Sequence, residues 1–483
     1  LNITSIVGFS LEEDQRVSTL SVTGLDLTVI ALYMLALLAI GLLSERIAIR
    51  TLDNYLLANR QLSYLLYVPA MAAVVLGGAS TLGSARLGYQ YGVSGAWLVI
   101  MISLGVIACG LIVARKIIPL RIYTMAEFLE RRYSRPTRYL AAIVIAVYTF
   151  MIYVTQVIAI GTVTSVVLGI SFELGVLIGG LVVIAYVALG GMWSVTLTDL
   201  LQWALMTLGV IIIMPVAGYL AVSAKGVSLA DLPQGYFSPT HIGYDTILSY
   251  FLLFFFGLML GQDIWQRVLT AKDTRIGING TVLAGLYGIV YALAATFVGM
   301  LAYLYFGGAL ENPRQAMPLF AVEILPAGIA GLMIAAMFSA FMSTADGALI
   351  ATSTLITYDL VAPLRRLTER QLTLLVAGLN VILGILGLGV AIFVQELLIA
   401  LDIAYLVLST TLFIPTILGL YWAKPSARAT IIAIVGSLVV AVGYALYIGW
   451  PDGFADIRPI VAGFTTNLVL FLIATYLWPS RTT

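Results

Sequence analysis

The chain has 483 residues, 61% hydrophobic and 10% charged, with 24 basic against 23 acidic side chains. Soluble domains carry about 25% charged residues, so this composition excludes an ordinary soluble protein and describes an integral membrane protein. A net charge of +1 leaves no electrostatic footprint for nucleic acid, and the single cysteine, Cys109, excludes a disulfide framework or a thiolate metal cluster.

Residues 1–26 show no basic-then-apolar leader with a cleavage site and are expected to form a short amphipathic tail. Apolar runs then predict thirteen membrane-spanning helices, at 27–44, 63–85, 95–113, 139–168, 174–189, 197–221, 244–263, 277–306, 327–360, 371–392, 396–421, 429–449 and 459–478. Cytoplasmic loops retain Lys and Arg. With the N-terminus outside, the inside loops hold nineteen basic residues and the outside segments only five, Arg16, Arg86, Lys225, Arg314 and Arg458. The asymmetry predicts an N-terminus outside and a C-terminus inside. Loops are short throughout, so residues 1–483 are expected to form one membrane domain without a catalytic or signalling module. His241, the only histidine, falls in the longest outside loop and reads as surface cover.

Two spans contain glycine pairs where non-helical backbone is expected. The second carries Gly77, Gly78, Ser80, Thr81, Gly83 and Ser84; the seventh carries Gly257 and Gly261 just before Gln262 and Asp263. Backbone released from a helix survives in hydrocarbon only where it lines a buried cavity. Broken helices five spans apart point to two inverted five-helix repeats, spans 2–6 (63–221) and 7–11 (244–421), with 27–44 leading and 429–478 trailing. Each pair alone fits close helix packing as well.

The ninth span carries Ser339, Ser343, Asp346, Ser353 and Thr357 on one stripe, with Ala340 and Thr344 beside it. A hydroxyl can bond the carbonyl four residues back. That does not account for Asp346, because an acid within a span usually faces a partner or a watered path. Hydroxyls with loosened carbonyls suit a hard alkali cation.

The runs GGMWSVTLTDLLQ (190–202) and AFMSTADGALIATSTLITYDL (340–360) resemble two signature regions of the sodium/solute symporter (SSS) family, whose members share the LeuT-type inverted-repeat fold. The likeness extends over nearly the whole chain, including YTMAEFLERRYS (123–134) and GQDIWQRVLTAKD (261–273). It implies Na+ as coupling ion, held by the hydroxyls of Ser343 and Thr344 and the carbonyls of Ala340, Ala73 and Leu76. Asp199 matches an acid near the family's inner sodium path, and with Ser343 and Asp346 it implies a second cation site. Some members have hydroxyls where this chain has Asp346 and Gly347, which leaves that second sodium open.

For the solute, GGASTLGSARLGY, Trp265 and Asp402 resemble the choline-transporting branch more than the sugar branch, although Val75 replaces an aromatic of that branch. Gly77, Ser80, Gln156, Gln262, Trp265, Asp402 and Tyr405 are the candidate substrate-binding residues, with Thr155 and Gln202 as further polar groups. Trp265 reads equally as an interfacial anchor. The implied function is sodium-coupled import of a small polar organic solute by alternating access, an amino acid, organic cation, betaine or carboxylate rather than a sugar. The expected setting is a multi-pass cell-membrane protein surrounded by lipid, without an obligatory protein partner. Titratable Asp199 and Asp346 leave a proton-coupled symporter as an alternative. A transporter-like sensor would need an output domain, a channel a filter or charged ring, and an enzyme a nucleophile–base pair or metal motif, none of which the sequence displays.

Overall fold

The computed structural model describes residues 22–48, 51–365 and 367–480. The expected tail up to residue 21, and Arg16, Arg50, Arg366 and Arg481 of the orientation count, lie outside the described residues. Among the described residues the architecture is all-helical, with one isolated parallel bridge between Leu62 and Ala271. Among the described residues eleven helices are long and apolar enough to cross a membrane, and Tyr64–Val75 and Phe172–Ala185 are shorter apolar helices. The chain is a multi-pass membrane protein.

The helices that position the site are α1 (Gly24–Ala48), α2 (Tyr64–Val75), α3 (Ser84–Tyr91), α4 (Trp97–Ala108), α5 (Met125–Arg132), α6 (Arg135–Leu168) and α7 (Phe172–Met206). They are followed by α8 (Tyr244–Tyr250), α9 (Gln262–Leu269), α10 (Thr274–Phe306), α11 (Ile329–Thr354), α12 (Glu369–Val394) and α13 (Leu397–Tyr421). Finally α14 (Ala427–Ile448) and α15 (Ile457–Leu477) pack against each other.

Local chemistry sets the ends. The Thr124 hydroxyl accepts the Glu127 N–H at the head of α5, and the Asp273 carboxylate accepts the Ile276 N–H at the head of α10. Gly169 and Gly307 close α6 and α10 at φ of +62° and +64°, which L side chains rarely adopt. Short α5 lies in what the sequence presents as a loop, because eight residues are too few to register as a span.

The sequence predicts separate spans at 174–189 and 197–221; α7 comprises the first and the start of the second, and the two meet without a loop at Gly191, whose φ of 57° and ψ of −169° break the helix, the second stretch continuing to Ala224. A side chain there would also meet the Tyr55 ring, 2.8 Å from an added Cβ.

Lipid gives apolar side chains no drive to leave it, so tight packing of small residues holds such helices together. On α3, an added Cβ at Gly88 would lie 2.1 Å from the Thr296 carbonyl oxygen, and one at Gly299 on α10 would lie 2.0 Å from that of Ala85. The two backbones cross in contact. Helix α11 is the central pillar: of its 26 residues all but Ile329 and Leu332 are buried, and it packs against α6, α7 and α1. By contrast α12 turns Leu374, Ile382 and Ile385 outward while burying Asn380, Gly384 and Gly387.

Candidate functional site

Helix α2 stops at Val75, and Leu76 takes a non-helical φ of −100° and ψ of 63°. The backbone groups released there find partners on three other helices. The Gly78 N–H donates to Gln156 Oε1 on α6 at 2.6 Å, and the Thr81 hydroxyl bridges the Gly77 carbonyl (2.9 Å) and the Tyr291 hydroxyl on α10 (2.7 Å). On α11, the Ser343 hydroxyl lies 3.0 Å from the Ala73 carbonyl oxygen and 3.0 Å from that of Ala340, which the Thr344 hydroxyl also approaches at 3.3 Å. Thus Ala73, Ala340, Ser343 and Thr344 direct four oxygens at one spot beside Leu76. A methyl at Gly77 would lie 2.7 Å from Thr344 Oγ1 and 2.4 Å from Gln156 Oε1, so only glycine permits this approach. Such uncharged oxygens suit a hard cation.

Two other hydroxyls of the polar stripe satisfy themselves, whereas that of Thr357 is buried without a partner among the described residues. Ser339 donates to the Ala335 carbonyl and Ser353 to that of Ile350, while Thr155 on α6 donates to Met151.

The second break precedes α9, where Gly261 takes a ψ of 128°. Close by, the Tyr148 hydroxyl lies 3.3 Å from Asp263 Oδ1 and 3.1 Å from the Tyr405 hydroxyl. Tyr405 can press on Gly257 because a Cβ there would fall 2.3 Å from its ring. A small cavity of about 20 Å³ lies between the two breaks, with Gly77, Ser80, Gln156, Asp263, Thr344 and Tyr405 on its polar wall. This volume admits no more than water-sized groups, so the centre is closed. Of the candidate substrate residues, Gly77, Ser80, Gln156 and Tyr405 meet here.

Three others lie elsewhere. The Gln262 amide accepts the Met125 N–H at 2.8 Å and donates to the Tyr123 carbonyl at 3.1 Å, tying α9 to α5. The Trp265 side chain is fully buried against Phe128, and its indole N–H donates to the Met259 carbonyl at 2.9 Å across the break. It therefore neither anchors at an interface nor faces a cavity. Asp402 lines a separate cavity of about 430 Å³ with Arg86, Tyr250 and Glu396.

Asp199 and Asp346 come together around a residue that the sequence pattern places in an inside loop. Arg267 is 1% exposed; its Nη2 lies 3.0 Å from Asp199 Oδ2 and 4.0 Å from Asp346 Oδ1, and its Nη1 faces the Met192 sulfur. Gln202, alongside, lies 3.4 Å from the Tyr33 hydroxyl. A basic residue at the end of an apolar run normally faces the interface, but α9 restarts after the break and carries Arg267 into the protein. Its partners stand 68 and 79 residues away, beyond the reach of any local pattern.

Toward the face that carries α5, Arg138 donates to Asp359 Oδ1 at 2.7 Å and to Glu130 Oε2 at 2.6 Å, and the Thr124 hydroxyl meets the same Asp359 oxygen at 3.0 Å. With the Gln262 bonds, these contacts seal α5 across α6, α9 and the turns Leu355–Val361 that follow α11. The 430 Å³ cavity lies toward the opposite face, beside the start of α8 and the α12–α13 junction.

The profile of the sodium:solute symporter family matches residues 55–437. A sodium/pantothenate symporter of Escherichia coli (strain K12) is 27% identical over 443 residues, covering 87% of this chain and 90% of its own. A high-affinity proline transporter of Bacillus subtilis (strain 168) is 26% identical over 457 residues, covering 86% of this chain and 91% of its own. Among solved structures, a Na+-coupled sialic acid symporter in a substrate-bound outward-open state aligns with a TM-score of 0.79, covering 96% of this chain and 100% of that one at 19% identity. The two share a fold.

Proposed function

Because this chain belongs to the sodium:solute symporter family and couples Na+ to the transport of a small polar solute, we propose that the junction of α2 and α11 is its sodium site. The ligands are the carbonyls of Ala73, Leu76 and Ala340 and the hydroxyls of Ser343 and Thr344. The observation that carries this reading is the convergence of Ser343 and Thr344 on the Ala73 and Ala340 carbonyls. An ion entering there takes over the carbonyls that Ser343 now bridges, and fixes the broken helix against α11.

Asp199 and Asp346 hold a guanidinium in place of a second sodium. Arg267 supplies the positive charge that the acids require, and a proton relay gains nothing from an acid already paired at 3.0 Å. Coupling is then to one sodium. One charge crossing about 100 mV yields about 2.3 kcal/mol, and about 1.4 kcal/mol corresponds to a tenfold ratio. The potential alone thus supports about fifty-fold accumulation of a neutral solute.

The architecture in this reading is thirteen spans with the N-terminus outside, the two shorter apolar helices completing the eleven long ones. Spans 2–6 and 7–11 form two inverted repeats within one domain, each opening with a broken helix. The solute occupies the region between the breaks, near Gly77, Ser80, Gln156, Asp263 and Tyr405, after widening of the closed centre. Alternating access consists in loosening the α5 seal while the 430 Å³ cavity collapses. Relatives that carry pantothenate and proline support a small polar solute with a carboxylate. The test is sodium-driven uptake by Ser343→Ala/Thr344→Ala in proteoliposomes: abolished uptake in folded protein supports the site, and unchanged sodium affinity removes it.

A further inference from the structure

Outside the transport path, a cavity of about 640 Å³ lies between the start of α14 and the end of α15, with Tyr133, Ser426, Arg428, Trp478 and Ser480 in its wall. It falls within the size of a small-molecule site, about 300–1,000 Å³. Arg428 is exposed and makes no hydrogen bond or ion pair among the described residues.

Positive charge is uncompensated around this cavity. Residues 415–430 and 471–480, which form and flank this end of α13, α14 and α15, contain Lys424 and Arg428 and no acid. Lys424 Nζ stands over the Tyr476 ring, 4.1 Å from its centroid. Arg132, the last residue of α5, donates to the carbonyls of Gly419 (3.1 Å), Trp422 (2.8 Å) and Ala423 (2.9 Å). Three cations thus gather here without a carboxylate, whereas Arg131 pairs with Glu127, and Arg138 with Glu130 and Asp359.

The cavity also stands at the edge of the hydrocarbon. Val435 and Val439 on α14 and Val469 and Ile473 on α15 are exposed, and on spans this apolar such side chains face lipid. Tyr476, Leu477 and Trp478 end α15, exposed as well, and Tyr and Trp gather at the level of the headgroups.

We propose that this cavity binds an anionic phospholipid, its phosphate on Arg428 and its acyl chains along the exposed faces of α14 and α15. A guanidinium fork matches phosphate oxygens, and basic pockets beside membrane helices suit such headgroups. The Ser426 hydroxyl, whose oxygen accepts the Ala429 N–H at 3.3 Å, keeps its proton for the same phosphate. A zwitterionic headgroup would bring a further positive charge into a wall without an acid, and free phosphate would gain no apolar contact. The lipid stands beside the α5 seal, because Tyr133 follows α5 and donates to the Pro415 carbonyl at 2.7 Å.

The test is thermal unfolding of the full chain in neutral detergent at fixed ionic strength, titrated with dioctanoyl phosphatidylglycerol, dioctanoyl phosphatidylcholine or inorganic phosphate. Phosphatidylglycerol is expected to raise the midpoint saturably, with phosphatidylcholine at least tenfold weaker and phosphate without effect. Arg428→Gln is expected to raise the half-saturating phosphatidylglycerol concentration at least fivefold, while Arg428→Lys stays within threefold of wild type. Lys272→Gln, which removes an exposed cation away from the cavity, should leave it within twofold. No shift with phosphatidylglycerol, an equal shift with phosphatidylcholine, or an unchanged titration in Arg428→Gln overturns the site. Equal weakening by Lys272→Gln would reduce it to diffuse surface attraction, and a phosphate shift matching that of the lipid would make it a free-anion site; either result overturns the proposal.

Discussion

The Ser343 hydroxyl on α11 lies 3.0 Å from the carbonyl oxygen of Ala73, in the last turn of α2. Two helices that never touch in sequence are thus joined where one of them breaks. If Thr344 is a ligand at this junction, its hydroxyl matters and its shape does not. Thr344→Val is expected to raise the sodium concentration for half-maximal uptake at least tenfold, about 1.4 kcal/mol, whereas Thr344→Ser stays within threefold of wild type. Equal behaviour of the two variants in a sodium titration would take Thr344 out of the site.

Arg267 and its two carboxylates form a buried charge cluster, in which removing one partner is expected to cost about 3–5 kcal/mol. Arg267→Gln leaves Asp199 and Asp346 without their guanidinium and should lose stability on this scale. Adding Asp199→Asn should restore part of it. A double-mutant cycle by chemical unfolding reads the coupling; strictly additive losses would show that the two residues do not interact.

The same cluster predicts the stoichiometry. With Arg267 as the fixed second cation, the ratio of charge to neutral solute in voltage-clamped flux is one, and sodium activation has a Hill coefficient of one. A ratio of two would mean that a mobile ion enters beside the guanidinium.

The α5 seal should govern release. Asp359 is fully buried and accepts from both Arg138 and Thr124. Asp359→Asn weakens the charge-assisted bond and is expected to speed solute efflux from preloaded proteoliposomes severalfold, with reduced accumulation. Efflux at the wild-type rate would indicate a static brace.

Glycine supplies a further contrast. Gly77→Ala places a methyl 2.4 Å from Gln156 Oε1 and 2.7 Å from Thr344 Oγ1, so sodium-dependent uptake is expected to fall by more than tenfold. At Gly378 on α12 nothing lies within 4 Å of an added Cβ, and Gly378→Ala should transport normally with stability unchanged or higher by about 0.5–1 kcal/mol. Normal sodium response in Gly77→Ala would mean that the break has room the structure does not show.

Much of this was legible in the chain. Hydropathy placed α10 at 277–306 against Thr274–Phe306, and α13 at 396–421 against Leu397–Tyr421. Glycine pairs marked both breaks, and adjacent Ser343 and Thr344 announced an oxygen-rich patch. What stayed hidden depends on depth and long-range pairing. Asp402 and Tyr405 share one helix three residues apart, yet about 4.5 Å of rise puts them in different chambers. Gln262 and Trp265 sit beside a break and look like cavity residues, but their polar atoms are spent on α5 and on the Met259 carbonyl. Arg267 looks like a boundary residue until the fold brings Asp199 and Asp346 to it.

Thermal unfolding of the purified protein against a sodium titration, with potassium as the matched control, tests the central assignment most directly, because a ligand of the native state raises the midpoint by mass action. The account predicts a midpoint that climbs with sodium and not with potassium in wild type, and one that stays flat in Ser343→Ala/Thr344→Ala. The same sodium-dependent climb in that double variant would contradict it and place the ion elsewhere.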